Sequence, residues 1–220
     1  KQFCEEHNLL LVVDNCFATP YLQQPIKYGA HLVIHSATKY IDGQGRVLGG
    51  LICGKKELIE QVRGFARHSG PALSPFNAWV LSKSLETLAL RMDRHAENAL
   101  KVAAFLETQS AVEWVRYPFL KSHPQFATAK KQMLNGGGMV CFNLKGGLEA
   151  GKHFLNSLEM LSISANLGDA KSIATHPAST THAKLSDDEK LQAGIQPGLV
   201  RISVGLENVD DIIADIKKGL

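Results

Sequence analysis

The sequence lacks the features that define several special classes of protein. None of its apolar runs approaches the roughly 20 residues of a membrane-spanning helix. Its formal net charge is only +3, since 24 lysines and arginines are balanced by 21 aspartates and glutamates. Because these charges are also evenly spread along the chain, neither nucleic acid nor a membrane surface is an expected partner.

Cysteine is also scarce, and no two cysteines stand in a Cys-x-x-Cys spacing. The four cysteines are Cys4, Cys16, Cys53 and Cys141. Scattered thiols in a chain of this length are typical of reduced, cytoplasmic proteins in which cysteine fills the core. His31 and His35 are four positions apart on a predicted strand but lack a third ligand, so no metal site is expected.

The length of 220 residues is sufficient for a sizeable core and indicates one or two domains. The chain starts at Lys1, within what the sequence predicts to be the end of a helix. Because a domain rarely begins inside a helix, we expect a fragment of a longer polypeptide.

Apolar periodicity predicts a chain of strands and helices. The predicted strands cover residues 9–14, 31–36, 49–54, 112–117, 138–144 and 200–205. The predicted helices cover residues 55–68, a long helical region over 73–109 kinked near Arg91, residues 148–158 and residues 209–218. The first strand is an almost unbroken apolar run, which is typical of a strand buried on both faces.

Two charged residues follow the first two predicted strands. Asp14 closes the first strand, and Lys39 follows the second, just after the hydroxyl residues Ser36 and Thr38. Pyridoxal 5'-phosphate (PLP) needs an amine for covalent attachment, an acid for its ring nitrogen and hydroxyl groups for its phosphate. Alone, Lys39 would be an ordinary surface lysine and Asp14 a turn cap. Together they predict a PLP site.

These residues lie in two motifs that resemble the signature of the Cys/Met-metabolism PLP-dependent enzymes. The motifs are DNCFATP at residues 14–20 and HSATKY at residues 35–40. The family includes cystathionine synthases and lyases, methionine gamma-lyase and the O-acylhomoserine sulfhydrylases. The resemblance covers the whole chain, which matches the C-terminal part of such an enzyme, a little over half of it.

The resemblance implies the α/β fold of the PLP-dependent transferases, the aspartate aminotransferase type (fold type I). Residues 1–72 would then be the end of the PLP-binding large domain, with its mostly parallel sheet. Residues 73–110 would form a linking helix, and residues 111–220 a smaller C-terminal α+β domain.

The resemblance also assigns roles at the cofactor. Lys39 would carry PLP and act as the catalytic base, and Asp14 would bind the ring nitrogen. Ser36 and Thr38 would bind the phosphate. Cys16 stands where many members of the family carry a threonine, so one hydrogen bond beside the ring differs from the usual pattern.

Two further residues are expected to bind substrate. Arg201 lies between apolar strand neighbours, where a guanidinium needs an anion. By resemblance that anion is the α-carboxylate of the substrate; a structural ion pair is the alternative. Asn166 stands where cystathionine synthases and lyases usually have serine, and asparagine there resembles the O-acylhomoserine sulfhydrylases. Its amide would reach the same carboxylate.

The implied activity is gamma-replacement in methionine biosynthesis, in which sulfide displaces the acyl group of O-succinylhomoserine or O-acetylhomoserine to give homocysteine. The overall sequence favours the O-succinyl ester. A cystathionine gamma-synthase or gamma-lyase of the same family is the first alternative, and a catalytically incomplete fragment is the second.

The resemblance further implies a homotetramer built from dimers, with active sites at subunit interfaces. The family's ring-stacking tyrosine, its glycine-methionine phosphate loop and the residues lent by a neighbouring subunit would all lie in a missing N-terminal half. We therefore expect the isolated 220-residue chain to be inactive.

Overall fold

A computed structural model describes every residue of the chain, 1–220, and the chain forms two compact units. Unit 1 is Lys1–Ala89 and unit 2 is Leu90–Leu220. The elements that begin in unit 1 are α1 (Gln2–Glu6), β1 (Val12–Asp14), α2 (Thr19–Leu22), β2 (Leu32–Ser36), β3 (Gly50–Gly54), α3 (Lys56–Ser69), α4 (Pro75–Leu85) and α5 (Leu88–Glu107).

The sheet of unit 1 has the strand order β1-β2-β3. β1 and β2 run parallel, and their register places Asp14 beside Ile34. β3 returns antiparallel to β2, and its first residue, Gly50, pairs with Ser36 at the end of β2. The carboxyl ends of β1 and β2 and the start of β3 therefore meet at one edge of the sheet.

The prediction of a first strand over residues 9–14 buried on both faces was wrong in two respects. The strand begins only at Val12, and the side chains of Leu9, Leu10 and Val12 are exposed, Val12 by 46%. The physical reason is that the faces of β1 are left uncovered within unit 1, where the strand also pairs with β2 alone. The apolar side chains at the start of this run are therefore not covered within unit 1.

The long helical region predicted over 73–109 is two helices, and the break lies before the predicted kink at Arg91. α4 ends at Leu85, and the backbone N–H groups of Glu86 and Thr87 close a tight turn onto Lys83 and Ser84. Apolar residues continue at helical spacing across this turn, so periodicity alone does not reveal it.

Unit 2 is built on a five-stranded sheet of order β4-β5-β8-β7-β6. Its pairings are antiparallel except for the short parallel pair β6–β7. Its further elements are β4 (Val112–Arg116), α6 (Phe126–Gln132), β5 (Met139–Leu144), α7 (Gly147–Asn156), β6 (Ser162–Ile163), β7 (Ile173–Thr175), α8 (Asp187–Gln192), β8 (Leu199–Ser203) and α9 (Val209–Lys217). The sequence did not predict α6, β6, β7 and α8, all of which have seven residues or fewer.

The core of unit 2 lies between this sheet and the helices α5, α7 and α9. Phe142 of β5 and Phe154 of α7 meet edge to face, with ring centroids 5.4 Å apart, and both side chains are fully buried. Ile202 of β8 and Ile212 of α9 are also fully buried in this core. Burial of such side chains supplies most of the favourable free energy of folding.

A buried carboxylate joins α9 to the start of β6. Asp215 accepts hydrogen bonds from the backbone N–H groups of Glu159, Met160 and Leu161 at 2.9–3.0 Å. Burial raises the pKa of Asp215, but the hydrogen bonds from these backbone donors and from Lys218 lower it by more. The net shift of the pKa is therefore downward. The carboxylate is therefore ionised at neutral pH and fixes the chain where it enters the sheet.

All four cysteines are free thiols, as the sequence predicted, but the expectation that they fill the core was wrong: Cys53 is exposed, and Cys4, Cys16 and Cys141 are only partly buried. None of the helices combines the length and the apolar character needed to cross a lipid bilayer.

A buried histidine makes the stability of unit 2 depend on pH. His95 of α5 is fully buried, and its Nδ1 lies 2.7 Å from the carbonyl oxygen of Val204. Burial lowers its pKa from 6.5 to about 4; the hydrogen bond to Val204 and the charge of Asp169 oppose this shift, and Arg91 adds to it. As the pH falls, His95 is therefore protonated at a lower pH in the folded state than in the unfolded state.

We expect the free energy of unfolding to decrease as the pH is lowered from about 6.5 to about 4, by on the order of 3 kcal/mol from this residue. The measurement is urea denaturation as a function of pH. His95→Asn retains an N–H donor for Val204 but cannot titrate, so its stability should vary less over that window. Equally steep profiles for the two proteins would contradict the assignment to His95.

Candidate active site

The predicted cofactor residues of unit 1 gather where β1 and β2 end. Asp14 is the last residue of β1 and Ser36 the last of β2. The pairing continues past the strands, because the N–H of Asn15 donates to the carbonyl of Ile34 at 2.9 Å and the N–H of Ser36 donates to the sulfur of Cys16 at 2.9 Å. These hydrogen bonds thus fix the ends of both strands.

Asp14 and Cys16 are joined by hydrogen bonds at this edge of the sheet. The thiol and the backbone N–H of Cys16 both donate to the Asp14 carboxylate, and these bonds lower the pKa of Asp14; burial opposes them and His35 adds to them. Burial raises the pKa of the Cys16 thiol, and the hydrogen bond to Asp14 raises it as well. Asp14 is therefore an anion and Cys16 a neutral donor. The turn-cap alternative for Asp14 is realised in part, since the N–H of Cys16 lies 3.0 Å from its Oδ1.

Lys39 lies in a wide helical turn over residues 37–41 that follows β2 directly. The backbone leaves the helical region at Lys39 itself, with φ −90° and ψ −131°. The N–H of Asp42 closes the turn onto the carbonyl of Ala37 at 2.9 Å, and that of Gly43 onto the carbonyl of Lys39 at 2.8 Å. The Lys39 side chain is half-buried, and its charge acts on the Cys16 thiol. The structure therefore brings Lys39 into the same cluster.

Thr38 is engaged with the loop before β3. Its hydroxyl accepts from the N–H of Gly49 at 3.1 Å and lies 3.3 Å from the carbonyl of the same residue. Because the bond to the carbonyl is long, the hydroxyl proton is weakly held there and can turn to another acceptor. Ser36 and Thr38 are both half-buried at this edge.

An ion pair between a buried aspartate and a partly exposed arginine supports the turn that carries Lys39. The side chain of Asp42 is completely buried and accepts from the backbone N–H of Arg46 at 2.7 Å and from its Nε at 3.0 Å. The Nη2 of Arg46 reaches the carbonyl of Asp42 at 3.0 Å and the hydroxyl of Ser84 in α4 at 2.7 Å. Arg46 thus ties the turn to the neighbouring helix.

The donor set in unit 1 fits PLP. Asp14 supplies an ionised carboxylate for a protonated ring nitrogen, and Lys39 supplies an amine for an aldehyde. Ser36 and Thr38 offer hydroxyl groups for a phosphate at the same edge of the sheet.

The two predicted substrate residues come together in unit 2. The Nη2 of Arg201 in β8 donates to the carbonyl oxygens of Ala165 at 2.9 Å and Asn166 at 3.2 Å, and lies 3.4 Å from the hydroxyl of Thr175. Arg201 and Asn166 are each half-buried. The backbone at Asn166 therefore fixes the direction of the guanidinium.

Several supporting residues were not predicted from the sequence. The stretch 42–45 was interpreted only as turn chemistry, whereas the buried Asp42 carboxylate pairs with Arg46, and Arg46 also contacts Ser84, 38 residues further along the chain. The bond between Ser172 and Glu207 spans 35 residues. A buried aspartate four residues before an arginine is a local signal that could have indicated the first pair; the second has no local signal.

The fold and this cluster define a PLP-dependent transferase of the aspartate aminotransferase type. A crystal structure of cystathionine gamma synthase from Xanthomonas oryzae pv. oryzae, in complex with aminoacrylate and cysteine, matches with a TM-score of 0.95 at 38% identity, over 99% of this chain and 57% of that one.

The chain belongs to the Cys/Met-metabolism PLP-dependent enzymes, whose family model matches residues 1–220. Its cofactor is accordingly pyridoxal 5'-phosphate. An O-succinylhomoserine sulfhydrylase of Pseudomonas aeruginosa is 52% identical over 96% of this chain and 52% of its own length. An L-methionine gamma-lyase of Fusobacterium nucleatum subsp. polymorphum is 49% identical over 97% of this chain and 54% of its own length. The chain thus spans about half the length of the curated relatives it matches.

Arg46→Ala should lower the free energy of unfolding of unit 1 by about 1–3 kcal/mol, because it leaves the buried Asp42 carboxylate short of its partner. Arg46→Lys keeps the charge but loses the forked contact, so its free energy of unfolding should lie between those of the parent protein and Arg46→Ala. Denaturant unfolding measures both. Arg63→Ala is the matched control: its ion pair with Glu60 is long and exposed, so a change within about 0.5 kcal/mol is expected. Equal stability of Arg46→Ala and the parent would refute the role of Arg46.

Proposed function

We propose that the protein catalyses gamma-replacement on an acylated homoserine, with O-succinylhomoserine preferred over O-acetylhomoserine. Sulfide takes the place of the acyloxy group at the γ carbon: the Cγ–O bond breaks, a Cγ–S bond forms, and the products are homocysteine and the free carboxylic acid. Membership of the Cys/Met-metabolism PLP-dependent enzymes supports this reaction class. Assembly into a homotetramer is part of the same proposal.

In this proposal, unit 1 supplies the proton chemistry. When bound, PLP supplies an aldehyde for the substrate amine and a ring that withdraws electrons from the α carbon. The Asp14 carboxylate, kept ionised by its bonds from Cys16, holds a proton on the ring nitrogen. Lys39 Nζ removes the proton from the α carbon and returns it at the end of the reaction. Ser36 and Thr38 bind the phosphate.

Unit 2 supplies substrate recognition. Arg201 presents a planar guanidinium for bidentate binding of the α-carboxylate, and its Nη2 bonds to the Asn166 and Ala165 carbonyls set its direction. The Asn166 amide donates to the same carboxylate. Asparagine at position 166, where cystathionine synthases and lyases usually carry serine, is the observation that favours a sulfhydrylase over the serine-bearing members of the family.

A gamma-lyase or a cystathionine gamma-synthase is the second candidate. The L-methionine gamma-lyase relative is nearly as similar as the sulfhydrylase relative, 49% against 52% identical, so overall identity does not separate the reactions. The inactivity of the isolated 220-residue chain stays a prediction.

Borohydride reduction of the purified protein, expressed in the full length that its gene encodes, should leave a phosphopyridoxyl group on Lys39. Reduction converts the reversible link between lysine and cofactor to a stable secondary amine, which peptide mapping by mass spectrometry locates. Lys39→Ala should show no adduct and a roughly 10²–10⁴-fold loss of activity. The exposed Lys55→Ala is the control and should retain both. An adduct on another lysine would contradict the assignment.

The same protein should convert O-succinylhomoserine and sulfide to homocysteine at least roughly tenfold faster than it uses cysteine. It should release no ammonia from methionine. Product analysis after incubation with each pair of substrates tests this. Equal or faster use of cysteine would make the protein a cystathionine gamma-synthase, and release of ammonia and an oxo acid from methionine would make it a gamma-lyase.

A further inference from the structure

The proposed carboxylate site depends on an irregular stretch of unit 2. This stretch, residues 165–172, lies between β6 and β7 and is called the recognition loop here. The carbonyls of Ala165 and Asn166 at its start accept from Arg201 at 2.9 and 3.2 Å. The backbone of the recognition loop therefore sets the directions of both the guanidinium and the Asn166 side chain.

Glu207 binds the other end of the recognition loop through both of its carboxylate oxygens. The N–H of Ser172 donates to Oε1 at 2.6 Å, and the hydroxyl of Ser172 donates to Oε2 at 2.9 Å. The same hydroxyl accepts from the N–H of Gly205 at 2.9 Å. Ser172 is fully buried and Glu207 is partly buried, so these charge-assisted bonds are partly shielded from water.

Two further contacts fasten the middle of the recognition loop to the same stretch of chain. The carbonyl of Ala170 accepts from the N–H of Leu206 at 2.8 Å, and the hydroxyl of Ser203 accepts from the N–H of Gly168 at 2.9 Å. Glycine at position 205 permits this approach, because a Cβ on Gly205 would lie 2.5 Å from the Ala170 carbonyl oxygen. The loop is therefore bonded along its length to the end of β8 and the residues after it.

Glu207 is itself anchored to α5. Its backbone carbonyl accepts from the Asn98 amide at 2.9 Å and from Arg94 at 3.3 Å. The Asn98 amide also donates to the carbonyl of Gly205 at 3.0 Å, and its side chain is fully buried. The carboxylate thus acts from a fixed base on the longest helix of the unit.

We propose that Glu207, acting through Ser172, is a positioning residue for the carboxylate site of Arg201 and Asn166. This inference rests on the proposed function, which assigns the substrate carboxylate to that pair. By fixing the recognition loop before substrate arrives, Glu207 spares the guanidinium and the amide a rearrangement on binding. Its loss weakens substrate binding and leaves the chemical step at Lys39 largely intact.

The test compares two variants with one control. Glu207→Gln keeps the size of the side chain and removes its charge, so neither bond to Ser172 is charge-assisted, and the Ser172 hydroxyl loses its acceptor when the amide oxygen faces the backbone N–H. Ser172→Ala removes the hydroxyl and keeps the backbone contact. Asp215→Asn is the matched control, because Asp215 is also a buried acceptor of backbone N–H groups, and its partners are residues 159–161, outside the recognition loop.

With O-succinylhomoserine varied at saturating sulfide, both test variants should raise KM about tenfold and change kcat less than about twofold. Asp215→Asn should lower the melting temperature and leave KM unchanged. Hydrogen exchange followed by mass spectrometry gives a readout that needs no activity. Peptides covering residues 165–172 should exchange faster in both test variants, whereas peptides covering β5 should not change.

Arg201→Lys tests the carboxylate assignment separately from the role of Glu207. If it leaves KM unchanged, the carboxylate assignment is wrong and the role of Glu207 falls with it. If it raises KM while Glu207→Gln and Ser172→Ala do not, the carboxylate assignment stands and the role of Glu207 is refuted. An equal rise in KM for Asp215→Asn would also refute it, since general loosening of the unit would then suffice. If Glu207→Gln fails to fold, Ser172→Ala carries the test alone.

Discussion

The parallel pairing of β1 with β2 is the constraint on which the chemistry of unit 1 depends. Its register sets Asp14 beside Ile34, so the two strands end at the same edge of the sheet and the acid lies close to the turn that carries Lys39. A slip of one residue would turn every side chain of β1 to the opposite face and remove Asp14 from the site. The bond from Ser36 to Cys16 extends the pairing past the strands. The positions of acid and amine are therefore set by a sheet, which is stiffer than a loop.

The pKa shifts of Asp14 and Cys16 have a common cause. A proton shared between a carboxylate and a thiol stays on the sulfur, so the pKa of Asp14 falls, while burial and the same contact raise that of Cys16. A threonine hydroxyl at this position would donate to the carboxylate in the same sense. Cysteine therefore preserves the sign of the interaction that the usual threonine provides, and the departure from the family pattern leaves Asp14 ionised. What differs is strength, because a thiol is a weaker donor than a hydroxyl.

The sequence predicted those features whose causes are local. Strands β2, β3, β5 and β8 follow from apolar runs and turn residues; the cofactor residues expected from two short motifs lie together at one edge of the sheet, and their roles stay predictions. The features that it missed are short, give no signal in the apolar spacing, or depend on what covers an element. The pair β6–β7 is too short to show a period, and the break at Glu86 and Thr87 interrupts a helix without interrupting its apolar spacing. The burial of β1 was overestimated because burial depends on what covers a strand, which its own sequence does not state.

The same physical device supports the predicted site residues in both units. In unit 1 the guanidinium of Arg46 and the buried carboxylate of Asp42 fix the turn beside Lys39, and in unit 2 the carboxylate of Glu207 fixes the loop beside Arg201. Ordering a lysine or arginine side chain costs up to about 2 kcal/mol of free energy, because conformational entropy is lost. If that cost were met at the moment of binding, it would be subtracted from substrate affinity. Where a second charged side chain holds the backbone in place, part of this cost is met during folding. This explains why a further charged residue, a few positions along the chain and outside the two motifs, accompanies the lysine or the arginine of each cluster.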